Sequence, residues 1–130
     1  MKMKLTKVMV VEDDPDIQTV VRLSLKMRGV ADVLVVENGE ECLAQVTTYK
    51  PEVILLDVMM PRLDGYETCR RLKENPATRS IPVIFLTAKA QQYEIGRGLE
   101  MGATGYLTKP FDPMMLHSQI IELLEAKDSD

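Results

Sequence analysis

Four short apolar runs punctuate the chain, Val8–Val11, Val33–Val36, Val53–Leu56 and Val83–Leu86, and Tyr106-Leu107 forms a weaker fifth. They are rich in Val and Ile and do not alternate with polar residues, which is the pattern of strands covered on both faces of a parallel sheet. Such a sheet needs helices on both sides. Asp14-Pro15 predicts the first, with an N-cap carboxylate, proline at the first helical position, Ile17, Val20, Val21 and Ser24 on one face, and Gly29 as the stop after about Arg28. Asn38 followed by Glu41 gives a capping-box start for a second, carrying Cys42, Leu43 and Val46 and ending before Pro51. Asp64-Gly65 opens a third with Tyr66 and Cys69 inward and Pro76 beyond its end. A fourth, from about Gln91 to Met101, contains Gly96 and Gly98, each costing roughly 1 kcal/mol relative to Ala, and is expected to be the least rigid. Asp112-Pro113 repeats the cap-plus-proline device for the last, with Leu116, Ile120, Leu123 and Leu124 as its apolar stripe. Five strands alternating with five helices predict a doubly wound open α/β sheet with right-handed crossovers.

The residues that end the strands carry the chemistry. Val8–Val11 runs into Glu12-Asp13-Asp14, Val53–Leu56 into Asp57, Val83–Leu86 into Thr87, and the fifth run into Thr108-Lys109. Parallel strands share one carboxyl-terminal rim, where ligands bind near the topological switch point, so Asp13, Asp57, Thr87 and Lys109 are expected to converge. Crowded carboxylates repel one another and call for a cation. Oxygen donors without His or Cys suit Mg²⁺, which takes one or two carboxylates and often shares a phosphate. Carboxylate, divalent ion, ammonium and hydroxyl together make a site for phosphoryl transfer to an aspartate.

Composition narrows the partners. Sixteen Lys and Arg against twenty Asp and Glu leave a formal charge of −4 on 130 residues, so no general cationic surface offers itself to nucleic acid or anionic lipid. Cys42 and Cys69 stand in no CxxC or metal-type spacing and are expected to be buried thiols. Lys2, Lys4 and Lys7 precede an apolar stretch too short for a signal peptide and read as a solvated leader, and no run approaches the roughly 18 apolar residues of a membrane span. A cytoplasmic location is expected. Asp14 and Asp64 read as helix caps rather than metal ligands, lone His117 as a surface or half-buried group, and the nine methionines as core filling.

Val10-Val11-Glu12-Asp13-Asp14-Pro15, Asp57-Val58-Met59-Met60-Pro61 with Asp64-Gly65, Thr87-Ala88 and Lys109-Pro110-Phe111 together resemble the receiver domain of two-component response regulators of the chemotaxis-regulator kind. The resemblance runs over about residues 5–125 and implies one receiver domain over 1–130, a flavodoxin-like sheet of order 2-1-3-4-5 and a polar tail at 126–130. It implies Asp57 as the phosphoacceptor, taking a phosphoryl group from a phosphohistidine of a sensor kinase or phosphotransfer protein. It implies Asp13 as a direct Mg²⁺ ligand together with Asp57, Glu12 as the second acidic position, and the Met59 backbone carbonyl as a further ligand. Thr87 and Lys109 match the residues that bind the phosphoryl oxygens, Tyr106 matches an aromatic switch position, and Lys109-Pro110 matches a peptide that is commonly cis. Phosphorylation is then expected to change the surface of the fourth helix, fifth strand and fifth helix. The chain so read is a switch and no general enzyme, catalysing only its own phosphorylation and dephosphorylation. Met59 and Lys89 occupy positions that set the acyl-phosphate lifetime in the family, and a bulky Met59 leads us to expect slow self-dephosphorylation.

An Mg²⁺-dependent aspartyl-phosphate phosphohydrolase is the rival, but phosphatases of the haloacid dehalogenase type want a carboxylate two residues after the nucleophile, where this chain has Met59. A flavodoxin-like cofactor carrier would need a phosphate-cradling loop where Glu12-Asp13-Asp14 repel phosphate. The sequence leaves open a stand-alone regulator or the receiver of a longer protein, the downstream target, and homodimerisation on phosphorylation.

Overall fold

The computed structural model describes residues 4–60, 63–88 and 92–128, the side chains of 92–95 and 128 excepted. Lys2, Pro61, Lys89, Gln91, Ser129 and Asp130, on which expectations fall, lie outside the described residues. Strands β1 (Lys7–Val11), β2 (Asp32–Val36), β3 (Val53–Asp57), β4 (Val83–Thr87) and β5 (Gly105–Thr108) alternate with helices α1 (Pro15–Met27), α2 (Gly39–Tyr49), α3 (Gly65–Glu74), α4 (Gln92–Glu100) and α5 (Leu116–Asp128). The strands pair in parallel in the order β2-β1-β3-β4-β5, as expected.

The two-residue side-chain period of a strand explains why the runs are continuously apolar. Val8, Val10, Val53, Leu55, Ile84 and Leu86 face a core completed by Val21 and Leu25 of α1 and by Leu116, Ile120 and Leu124 of α5. The intervening Met9, Val11, Ile54, Leu56, Val83 and Phe85 face the other, completed by Cys42 and Val46 of α2 and by Tyr66, Cys69 and Leu72 of α3. Both cysteines are free and buried. Burial pushes the Cys42 thiol up to about 12, with Cys69 adding to the effect, and pushes Cys69 up to about 11, so neither is poised as a nucleophile. No described helix is long and apolar enough to cross a membrane.

Local signals act where their geometry is self-contained. The Asp14, Asn38 and Asp64 side chains cap α1, α2 and α3 by accepting from the N–H groups of Asp16, Glu41 and Glu67. Gly29, at φ +90°, carries the chain out of α1 in a conformation that a side chain disfavours.

Five expectations need correction. Lys7 is no part of a solvated leader: it is the half-buried first residue of β1, pairing with Asp32, and its ammonium lies 4.5 Å from the Tyr49 ring centroid. The edge strand β2 is not covered on both faces, since Asp32 is exposed and Leu34 and Val35 are half-buried. The buried face of α1 is Val21, Ser24 and Leu25, whereas Val20 is exposed. Asp112-Pro113 forms a turn before α5 rather than its cap: the Asp112 carboxylate accepts from Met114 N–H and its carbonyl from Met115 N–H, both at 2.9 Å. The carbonyls of Pro113 and Met114 accept from Ser24 of α1 and from Arg28 at its C-cap, which fixes this turn against α1 and delays the helix to Leu116. Among the described methionines, Met9 is core, Met60 and Met101 pack partly against it, and Met27, Met59, Met114 and Met115 are exposed, on helix and loop positions that the two cores do not reach.

Candidate functional site at the carboxyl-terminal rim

The register brings the strand ends level. Val11 pairs with Leu56, Asp57 with Leu86, and Thr87 with Thr108, so Glu12, Asp57, Thr87 and Lys109 emerge side by side at one rim. Asp57 is buried, and one carboxylate oxygen accepts from Met59 N–H at 3.2 Å. Its chain is held on both sides: Val58 N–H donates to the Leu86 carbonyl at 3.1 Å, and the Val58 carbonyl accepts from Gly65 N–H at 3.0 Å. Gly65 is a contact residue that the sequence marks only as the opening of α3. A Cβ there would stand 2.3 Å from the Asp57 carbonyl oxygen and 2.8 Å from Val58 Cα, so α3 begins directly against the backbone of Asp57.

Glu12 is 1% exposed. Its N–H donates to the Val36 carbonyl at 3.0 Å, and its carboxylate accepts from Asp14 N–H at 3.1 Å. Gln18, for which the sequence offers no signal, donates through Nε2 to the Glu12 carbonyl. Lys109 binds both buried acids, with Nζ 2.6 Å from Glu12 Oε1 and 3.3 Å from Asp57 Oδ1. Its N–H donates to the Thr87 carbonyl at 2.7 Å, and the Lys109-Pro110 peptide is cis, as expected. Thr87 is buried at the end of β4, and Tyr106 is half-buried on β5.

Burial opposes the charge on Lys109, but its contacts with Glu12 and Asp57 outweigh that cost and hold the ammonium above the ordinary lysine value. For Glu12 the balance goes the other way. Burial dominates, Asp57 adds to it, and the contacts with Lys109 and Asp14 recover only part, so the carboxyl is raised from 4.5 to about 7. A carboxyl that holds its proton more tightly folded than unfolded contributes stability in full below its unfolded value. That contribution is lost as pH rises through the folded one. Compared with Glu12→Gln, the metal-free protein should therefore lose relative stability as pH rises from 4.5 to 7. Denaturant titrations of the pair across that window measure it, and a pH-independent difference would contradict the assignment.

Ligand oxygens of Glu12, Asp13 and Asp57 lie within 4.8 Å of one another, and among the described residues this is the acidic group able to hold an ion. The donors are oxygens only, and exposed Asp13 leaves a face open to water, which fits a hard, partly hydrated divalent cation. Asp14 is outside the group, occupied as the α1 cap. His117 is half-buried on α5, held below its ordinary value by burial and by Arg28.

The response regulator receiver domain family matches residues 8–121. PilG of Pseudomonas aeruginosa is 42% identical over 105 residues, covering 81% of this chain and 77% of PilG. The alkaline phosphatase synthesis transcriptional regulatory protein PhoP of Bacillus subtilis is 38% identical over 122 residues, covering 94% of this chain and 50% of PhoP. The chain spans about half the length of several of the curated relatives it matches. Among solved structures, the chemotaxis response regulator CheY4 of Vibrio cholerae superposes with a TM-score of 0.86 at 29% identity, covering 92% of this chain and 99% of that one. A response regulator structure from Chloroflexus aurantiacus gives 0.86 at 33% identity, covering 94% and 99%.

Proposed function

The chain belongs to the response regulator receiver domain family, and from that premise we propose that Asp57 is the phosphoacceptor of a signalling switch. Its carboxylate attacks the phosphorus of a phosphohistidine on a sensor kinase or phosphotransfer protein, the N–P bond breaks, and an acyl phosphate forms. The observation that carries the reading is Lys109 bridging Glu12 and Asp57 within the acidic group at the strand rim.

Each residue then has a separate task. Asp13 and Asp57, the Met59 backbone carbonyl, and Glu12 at the second acidic position would hold Mg²⁺. Bound there, the ion supplies positive charge to the phosphoryl oxygens. Lys109 is already within reach of the Asp57 carboxylate and binds a phosphoryl oxygen without a large movement. Thr87, one strand across, offers its hydroxyl to another. The charge gained at Asp57 draws Thr87 and Lys109 toward it, which favours the Tyr106 ring inward, in the place it occupies here beneath α4, and so changes the α4-β5-α5 surface presented to a downstream protein or an output segment outside this sequence.

The phosphohydrolase reading is weaker, because the position two residues after Asp57 is Met59, with no carboxylate and 78% exposed. The chain acts catalytically on its own phosphorylation and dephosphorylation alone, and the bulk of Met59, two residues after Asp57, slows the latter by shielding the phosphoryl group from water. The acyl phosphate gives a direct test. Hydroxylamine should remove the label from the phosphorylated chain within minutes, whereas label retained as a stable phosphoester would contradict a carboxylate acceptor.

A further inference from the structure

The two interior glycines of α4 have different surroundings. A Cβ on Gly96 would meet nothing within 4 Å. A Cβ on Gly98 would stand 1.9 Å from the Tyr106 hydroxyl oxygen, 2.7 Å from its Cζ and 3.0 Å from Phe85 Cε2. The Tyr106 ring therefore lies beneath α4, its end against the bare backbone of Gly98. Its centroid is 5.6 Å from that of Phe85, its register partner on β4. Phe85 is fully buried and touches Tyr66 in turn, at 5.2 Å, so it cannot give way.

The helix is also held at this point. The Gly98 carbonyl accepts from Met101 and Ala103 N–H, at 3.1 and 3.0 Å, and the neighbouring Arg97 guanidinium lies 4.4 Å from the Tyr66 ring centroid. With the Gly98 backbone and Phe85 each held by these contacts, and the far end of the Tyr106 side chain the nearest group, that side chain is what gives way in a collision.

We propose that Gly98 is the positioning residue of Tyr106: the gap left by its missing side chain is the seat of the phenol ring, and a methyl group there expels the ring from beneath α4. Resting on the reading of Tyr106 as the aromatic that couples the rim to the α4-β5-α5 surface, this makes Gly98 a determinant of phosphoryl affinity. By reciprocal linkage, a rim that favours the ring in its seat binds a phosphoryl group less tightly once that seat is filled. The effect opposes helix propensity, since Ala should favour α4 at either glycine.

The test compares Gly98→Ala with Gly96→Ala in the full chain. Ring NMR of the tyrosines, with Tyr106 assigned through Tyr106→Phe, reads ring position, and titration with beryllofluoride and Mg²⁺ reads affinity for a phosphoryl mimic. Gly98→Ala should move the Tyr106 resonance away from the influence of Phe85 and weaken beryllofluoride binding about tenfold, while Gly96→Ala changes neither. In a Tyr106→Ala background, Gly98→Ala should have no further effect on affinity. An unmoved Tyr106 resonance, a moved one with unchanged affinity, or an effect that persists without the tyrosine would each overturn the proposal. A parent that fails to bind beryllofluoride, or an Asp57→Asn variant that binds it equally, would instead overturn the phosphoacceptor reading beneath it.

Discussion

Replacing Lys109 by methionine should slow phosphorylation of Asp57 by about a hundredfold to a thousandfold, the usual loss when one preorganised donor is removed from a charge-developing site. The same change should tighten Mg²⁺ binding. Both effects follow from the two contacts of the Lys109 ammonium, with Glu12 at 2.6 Å and Asp57 at 3.3 Å. While it occupies those oxygens it competes with a divalent ion for the same negative charge, so its loss leaves the acids more strongly in need of a cation. During transfer it is the cation nearest the incoming oxygens, and methionine keeps the stem while supplying no charge. Rates with a small phosphodonor and metal titrations by calorimetry separate the two. Unchanged phosphorylation, or weakened Mg²⁺ binding, would show that Lys109 does not act at the shared carboxylates.

The second large effect concerns stability. Gly65→Ala should destabilise the fold by about 3 kcal/mol, at the upper end of ordinary overpacking, and lower Tm by roughly 10 °C for a chain of this size. The clash is with the backbone of Asp57, at the end of the fully buried central strand, and of Val58 just after it, at 2.3 and 2.8 Å, and with Val58 N–H tied to the Leu86 carbonyl this backbone cannot rotate aside. If α3 retreats to make room, Gly65 N–H loses the Val58 carbonyl, so the variant should also bind beryllofluoride more weakly. Thermal and denaturant unfolding beside the parent check this, and a Tm within a degree or two of the parent would contradict it.

These two residues mark how far the sequence could be read. Lys109 was visible in it because parallel strands bring their ends together whatever the packing around them, so Glu12, Asp57, Thr87 and Lys109 could be placed at one rim from the runs before them. Asp14, Asn38 and Asp64 were visible as caps because a cap is made within a few residues. Gly65 and Gly98 were not, since their close approaches to Asp57 and Tyr106 join elements distant in the chain. The start of α5 is hidden from the sequence for a similar reason: Ser24 of α1 and Arg28 at its C-cap hold the carbonyls of Pro113 and Met114. The exposure of Val20 on α1 likewise depends on where α5 packs. Local chemistry and strand topology were legible, and contacts that need the assembled tertiary fold were not.

The most direct measurement is intact-mass analysis of the parent and of Asp57→Asn after incubation with a small phosphodonor and Mg²⁺. The parent should gain a single phosphoryl group that is absent when Mg²⁺ is chelated, and Asp57→Asn should gain none. A parent that stays unmodified, or a variant modified to the same extent, would contradict the assignment of Asp57 as the phosphoacceptor.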